Sequence, residues 1–197
     1  RQVCVLDATH PYADEVTKNI KEACQTAGVP YMRILRENTD MTENVTGSAK
    51  AHIRVADSMR EAVDLLNDKP YLEKNILLTT GSKHLPDYTK IQDYQNRAYL
   101  RLLPSPEMLQ KAVDTGFLPA HLIAMQGPFS QELNVALIKQ SGIGVLVTKQ
   151  SGKSGGFEEK ISAAEQTGTD VIVIKRPKQE DGKNLSEAEA ELKKLMT

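Results

Sequence analysis

Apolar residues follow two rhythms along this chain: short unbroken runs, and longer stretches with apolar positions three and four apart. Runs at residues 3–7, 31–35, 53–56, 75–79, 99–103, 122–125, 145–148 and 171–174 predict buried strands. Between the first two, Val16, Ile20, Ala23 and Ala27 predict a helix closed by Gly28. Ser58 with Glu61 three residues on is a capping box and predicts a helix over 58–66. Ser105 followed by Pro106 starts a predicted helix over 106–113. Helical spacing returns at 130–139 and 157–166, ended by Gly142 and Gly168, and a last surface helix is predicted over 186–196.

Strand and helix alternating in this way predict parallel sheets with helices on their faces and ligands beyond the carboxyl ends of the strands. The expected fold is α/β, two Rossmann-like domains with mainly parallel sheets and a ligand cleft between them. The turn formers Asn67, Asp68, Lys69 and Pro70 place the expected boundary at 70, giving 1–69 as the remainder of an N-terminal domain and 70–197 as the C-terminal one. "Remainder" reflects the opening: Arg1 and Gln2 lead straight into a buried strand, so a βαβ unit is expected upstream.

Composition narrows the class. Apolar residues make up 40% and charged residues 26%, as in ordinary globular proteins. No apolar run approaches the ~18 residues of a membrane-spanning helix. The formal net charge of −1 gives no global field toward nucleic acid or membrane, so an anionic ligand requires a local basic patch. Cys4 and Cys24 show no pairing logic, which fits a reducing compartment and predicts a cytoplasmic protein. His52, His84 and His121 lack metal-ligand spacing.

That basic patch is found in the loops that follow the strands. Residues 148–156, Thr-Lys-Gln-Ser-Gly-Lys-Ser-Gly-Gly, put glycines, hydroxyls and two lysines just ahead of a helix. Glycines let backbone N–H groups approach an anion, hydroxyls donate to it, and the helix start is electropositive. The stretch matches neither the P-loop nor the dinucleotide fingerprint. Thr79, Thr80, Gly81, Ser82 and Lys83 repeat the chemistry after another strand. Gln126, Gly127, Pro128 and Phe129 form a rigid turn whose ring either flanks a planar ligand or packs in the core, and Thr9, His10, Pro11 and Tyr12 add an imidazole and a phenol at a strand end.

Taken in order, Asp-Ala-Thr-His-Pro-Tyr-Ala at 7–13, Thr-Thr-Gly-Ser-Lys at 79–83, Arg-Leu-Leu-Pro at 101–104, Gln-Gly-Pro-Phe at 126–129, residues 148–160 and Lys-Arg-Pro at 175–177 resemble the precorrin-6A reductase family of cobalamin biosynthesis. The resemblance implies NADPH- or NADH-dependent reduction of one macrocycle double bond in precorrin-6A or its cobalt form. It implies Thr80, Gly81, Ser82, Lys83, Gln126 and Gly127 at the cofactor. It likewise implies Thr9, Arg101, Lys149, Ser151, Gly152, Lys153, Gly155 and Gly156 at a polycarboxylate tetrapyrrole-derived substrate, with Lys83, Arg97 and Arg176 as further cationic partners. His10 and Tyr12 are the expected proton donors, with Asp87 or water as alternatives. Family members often carry an acid where this chain has Gln150, and begin with a Gly-rich segment ahead of the strand that opens this chain. Other enzymes of the pathway are the expected protein partners. The competing class is a binding module that holds a nucleotide or tetrapyrrole without turnover.

Overall fold

The computed structural model describes residues 4–9, 13–35, 51–150, 156–175 and 182–196. The elements run β1 (Val5–Asp7), α1 (Asp14–Ala27), β2 (Tyr31–Arg33), β3 (Ile53–Ala56), α2 (Met59–Asn67), β4 (Asn75–Leu78), α3 (Leu85–Tyr88), α4 (Tyr94–Arg97), β5 (Ala98–Leu102), α5 (Pro106–Asp114), β6 (Leu122–Ala124), α6 (Gln131–Gln140), β7 (Ile143–Lys149), α7 (Phe157–Thr167), β8 (Asp170–Ile174) and α8 (Leu185–Met196). All strand pairs are parallel, as the alternation predicts.

The chain forms two units, residues 1–40 with 176–197, and residues 41–175. In the first, β1 pairs with β2, and Gly28 in the left-handed region ends α1 by donating to Cys24 and Gln25 carbonyls. The C-terminal segment joins this sheet: Ile34 bridges Lys183, with Leu35 N donating to Lys183 O and Lys183 N to Arg33 O.

The second unit is a six-stranded sheet in the order β3-β8-β7-β4-β5-β6. Its strands alternate. Ile76, Leu78, Val145, Val147, Ile172 and Ile174 face one core with α2 and Tyr88, while Leu77, Leu146, Val171 and Val173 face a second core with Val135 and Ile138 of α6 and Phe157, Ala163 and Ala164 of α7. Burial on both faces is why these strands read as unbroken apolar runs.

The division differs from a boundary at 70. Ile53–Ala56 pairs with Asp170–Ile174 at the edge of the large sheet, and Met59, Ala62, Val63 and Leu66 of α2 are buried in its core. The turn around Pro70 is therefore an ordinary αβ connection inside one unit, and the chain leaves that unit again after Lys175. The capping box forms in a modified way: Ser58 accepts from Glu61 N, while Glu61 reaches back to Asp57 N at 2.7 Å.

Candidate active site

Strand order locates the site before any side chain is considered. From β4 the chain steps outward through β5 to β6, then returns to β7 on the other flank of β4 and steps outward to β8. The reversal lies between β4 and β7, and in open α/β sheets such a switch point leaves a crevice outside the carboxyl ends of the two strands. The loop 79–83 follows β4, and Lys149 and Gln150 stand at the carboxyl end of β7, on the other side of that crevice.

A cavity of about 340 Å³ opens at this edge, lined by Thr79, Gly81, Arg101, Gly127, Phe129 and Lys160 among others. Gly81 has φ +81°, and nothing lies within 4 Å of where a side chain would begin, so its backbone is open to a ligand. Lys83 is exposed and Lys149 half-buried. The His84 ring, with Nδ1 3.3 Å from Asp87 Oδ2, has its pKa lowered by burial and then by Lys149 and Lys83, against the opposing pull of Asp87. Lys149, at the end of β7, and Lys83, in the loop after β4, thus act on one point from two segments.

Other expected site residues prove to be occupied within the fold. Thr80 is buried; its hydroxyl bonds to the Tyr88 hydroxyl, which donates to Gly81 O at 2.8 Å. It shapes the loop from within. Ser82 Oγ lies 3.1 Å from Met108 Sδ. Gly127, exposed like Gln126, serves a close approach: a Cβ there would meet the Phe129 ring at 3.1 Å. The glycine lets that ring fold back, 4.0 Å from the Arg101 guanidinium. Arg101 donates to Asn134 Oδ1 at 2.8 Å. Burial alone pushes its pKa down to about 10.

Gly156 precedes α7 with φ +60°. Valine there forces a left-handed backbone as well as crowding any anion, so Gly156→Val is expected to lower stability by about 1–2 kcal/mol in urea unfolding even without ligand. A stability equal to wild type would show that this backbone relaxes freely. The first turn of α7 carries Glu158 and Glu159, so lysines and Arg101, more than the helix end, supply the positive charge here.

Thr9, in the first unit, half-buried at the end of β1, accepts from Arg33 NH1 at 2.6 Å and donates its N–H to Asp7 Oδ1 at 3.0 Å. It braces the start of the loop that carries the expected proton donors. His10, Tyr12, Ser151, Gly152, Lys153, Gly155 and Arg176 lie outside the described residues. Arg97 does not reach a ligand loop; it is buried and donates to four backbone carbonyls.

Lys160 is the residue that sequence reading passed over. It lies on the buried stripe of α7 with Phe157, Ala163 and Ala164, and a lysine in the apolar register of a helix was the available signal. Burial, and after it the Arg101 charge, push its pKa down to about 8 against the opposing pull of Glu159. Among the described residues no group of acids, histidines and cysteines could hold a metal ion, and no helix is long and apolar enough to cross a membrane.

A parallel six-stranded sheet that reverses direction between β4 and β7, with a cavity lined by Arg101, Phe129 and Lys160 at its carboxyl edge, is a Rossmann-like α/β architecture. The chain belongs to the family described as precorrin-6x reductase CbiJ/CobK, whose pattern matches residues 1–194. It is 37% identical over 183 residues to the cobalt-precorrin-6A reductase of Priestia megaterium, an alignment covering 90% of this chain and 67% of the relative. To the cobalt-precorrin-6A reductase of Salmonella typhimurium it is 34% identical over 173 residues, covering 88% and 62%. A solved CobK precorrin-6A reductase superposes with a TM-score of 0.67 at 26% identity, over 97% of this chain and 72% of that one. The chain spans 55 to 67% of the length of three of the curated relatives it matches.

Proposed function

We propose that this protein catalyses the NADPH- or NADH-dependent reduction of one macrocycle double bond in cobalt-precorrin-6A or precorrin-6A. The observation that carries the proposal is the convergence, on one sheet edge, of four stretches whose sequences resemble the reductase family: the loop after β4, Arg101 near the end of β5, the Gln126–Phe129 turn and the strand end at Lys149.

The groups present suit a nicotinamide dinucleotide. Gly81 leaves open backbone for a phosphate, Lys83 and Lys149 supply charge, and the Phe129 ring offers a flat wall. When bound, the nicotinamide supplies the hydride. The chain's own residues bind and orient: the cations hold acidic groups of cofactor and substrate, and the apolar lip formed by Leu103 and Met125 at the same cavity meets the ring system. His10 and Tyr12, on the loop after β1 that Thr9 and Arg33 brace, are the proposed proton donors.

Incubation of the protein with NADPH and NADH, each with cobalt-precorrin-6A or precorrin-6A, tests the proposal. Loss of nicotinamide absorbance with formation of a macrocycle two hydrogens heavier is the expected result. Tight binding of macrocycle with no nicotinamide consumed would leave a binding module instead.

A further inference from the structure

We infer that Asn134 is a positioning residue for Arg101: its neutral amide fixes the guanidinium at the cavity wall without neutralising it, which keeps the charge for one carboxylate or phosphate oxyanion of the ligand. The inference deepens the proposed function and takes from it the identity of the two ligands.

Three arginines are buried among the described residues, Arg33, Arg97 and Arg101, and they are held in three different ways. Arg33 pairs with the Asp7 carboxylate and donates besides to Thr9 Oγ1 and Thr9 O. Arg97 spreads its guanidinium over four backbone carbonyls. Arg101 donates through NH1 alone among the described residues, to Asn134 Oδ1 at 2.8 Å, and lies against the Phe129 ring. A guanidinium carries five N–H donors, so most of this one is unused by the fold. The unused donors are not sealed in, because the sealed and unpartnered side-chain polar atoms among the described residues are His121 Nδ1 and Glu159 Oε2. Of the three arginines, Arg101 is the one that lines the cavity, where an acceptor can reach it.

Asn134, on α6, is 1% exposed. Its Nδ2 donates to Ser130 O at 2.8 Å, one helical turn back, and its Oδ1 accepts from Arg101. A carbonyl takes only the NH2 end of an amide and a guanidinium only the oxygen end, so the side chain has a single orientation. The amide therefore aims the guanidinium from a fixed point on α6, and the Phe129 ring fixes its plane.

An aspartate has nearly the same shape and binds a buried arginine more strongly than an amide does. The chain uses that solution at Arg33, with Asp7, and not at Arg101. The difference is charge. Paired with an acid, Arg101 would bring no net charge to the cavity; held by an amide, it keeps its own. Burial pushes its pKa down to about 10, still far enough above neutral for the group to stay protonated. A desolvated cation in a preset orientation favours a planar oxyanion, since the fork matches carboxylate and phosphate and little ordering remains to be done on binding.

The test compares wild type with Asn134→Asp, Asn134→Leu, Arg101→Gln, and Arg101→Gln combined with each substitution at 134. Each protein is titrated with NADPH, assayed for kcat and KM with cobalt-precorrin-6A, and melted in sodium phosphate, sodium acetate or sodium chloride of equal ionic strength. Asn134→Asp cancels the charge and should weaken one ligand roughly ten- to hundredfold, about as much as Arg101→Gln, the range of one charged hydrogen bond. Asn134→Leu frees the guanidinium without discharging it and should cost that ligand less, about three- to tenfold. In the Arg101→Gln background neither substitution should matter beyond about twofold, because Asn134 acts through Arg101. A fall in NADPH affinity with KM held identifies a cofactor phosphate; a rise in KM with NADPH affinity held identifies a substrate carboxylate.

A purely structural Asn134 gives the opposite order, since leucine strands NH1 whereas aspartate pairs it. The inference is overturned if Asn134→Asp keeps both affinities within about twofold of wild type, if Asn134→Leu weakens binding as much as Asn134→Asp, or if either loss persists in the Arg101→Gln background. Should Asn134→Asp not fold, Asn134→Leu decides: a loss that vanishes with Arg101→Gln supports the inference, and no loss, or one that persists, overturns it. Phosphate or acetate should raise the melting temperature of wild type above its value in chloride, and not that of Asn134→Asp or Arg101→Gln. Equal gains in all three overturn the inference. This arm needs no turnover, so if it holds while no nicotinamide is consumed, the role of Asn134 stands and the reductase reading falls.

Discussion

Asp7→Ala is expected to destabilise the first unit by about 3–5 kcal/mol, because it removes one member of a buried ion pair and strands the other. The Asp7 carboxylate is fully enclosed, and Arg33, 6% exposed at its side chain, lies 2.5 Å from it through NH1. Tyr31 donates to the second oxygen at 2.7 Å and Thr9 N to the first at 3.0 Å. Removing the carboxylate leaves a guanidinium and a phenol without it in the interior. The paired substitution Asp7→Leu with Arg33→Met should lose less than Asp7→Ala alone, since buried ion pairs are often replaceable by apolar residues of similar volume. If the pair loses as much as the sum of its parts, the two residues are not coupled.

The same network fixes a pH dependence. Burial alone would raise the Asp7 pKa, but hydrogen bonds from Thr9, Tyr31 and Arg33 outweigh it and hold the carboxyl well below the usual carboxylate range. A group depressed on folding contributes stability that is complete above its unfolded pKa of about 3.9 and is lost as pH falls toward the folded value. Wild type should therefore lose stability below about pH 4 more steeply than Asp7→Asn does. Burial, then the Asp7 bond, push the Tyr31 pKa up to about 12, so the phenol stays a donor across this range. Hydrogen exchange of the β1 and β2 amides against pH reads the effect in this unit alone.

How much of this was legible beforehand depended on which constraint acted. Strands such as β4, β7 and β8, buried on both faces, announce themselves as apolar runs, and the more exposed β1, β3 and β6 still carry short apolar runs; all eight predicted strands occur within a residue or two of their expected places. Helix ends were legible where one side chain or glycine carries the geometry, as at Ser58, Ser130 and Gly168. The unit boundary was not. Nothing in the residues of Ile53–Ala56 says which sheet it will join, because pairing with Asp170–Ile174 is a contact between segments more than a hundred positions apart.

The candidate site divided in the same way. Glycine, hydroxyl and lysine after a strand marked the right loops, since those types are read locally. Which side chains face inward is set by packing: Thr80 turned to Tyr88, and Lys160 turned in with Phe157. Arg97 and Arg101, four residues apart and alike on paper, separate for this reason. Arg101 sits at the carboxyl end of β5 against a cavity, whereas Arg97 precedes the strand at its other end.

That separation yields the second large effect. Arg97→Met is expected to cost at least ~3 kcal/mol of stability in urea unfolding while leaving ligand affinity of the folded protein unchanged. The guanidinium is 5% exposed and ties together three stretches of backbone. Nε donates to Gln92 O at 2.7 Å, NH1 to Tyr71 O at 2.9 Å and Lys74 O at 3.1 Å, and NH2 to Leu66 O at 3.0 Å. Leu66 O belongs to the last turn of α2, where a cation also complements the helix end. Methionine fills the space but leaves these carbonyls without their charged donor, and each buried unsatisfied acceptor costs about 1–3 kcal/mol. Lysine should not rescue it, because one ammonium cannot reproduce a planar fork directed at separate segments. A folded Arg97→Met protein of wild-type stability and weakened affinity for NADPH or macrocycle would return Arg97 to the ligand. Loss of stability in both Arg97→Met and Arg97→Lys, with affinity intact in the folded fraction, places it in the scaffold that holds α2 against the start of β4.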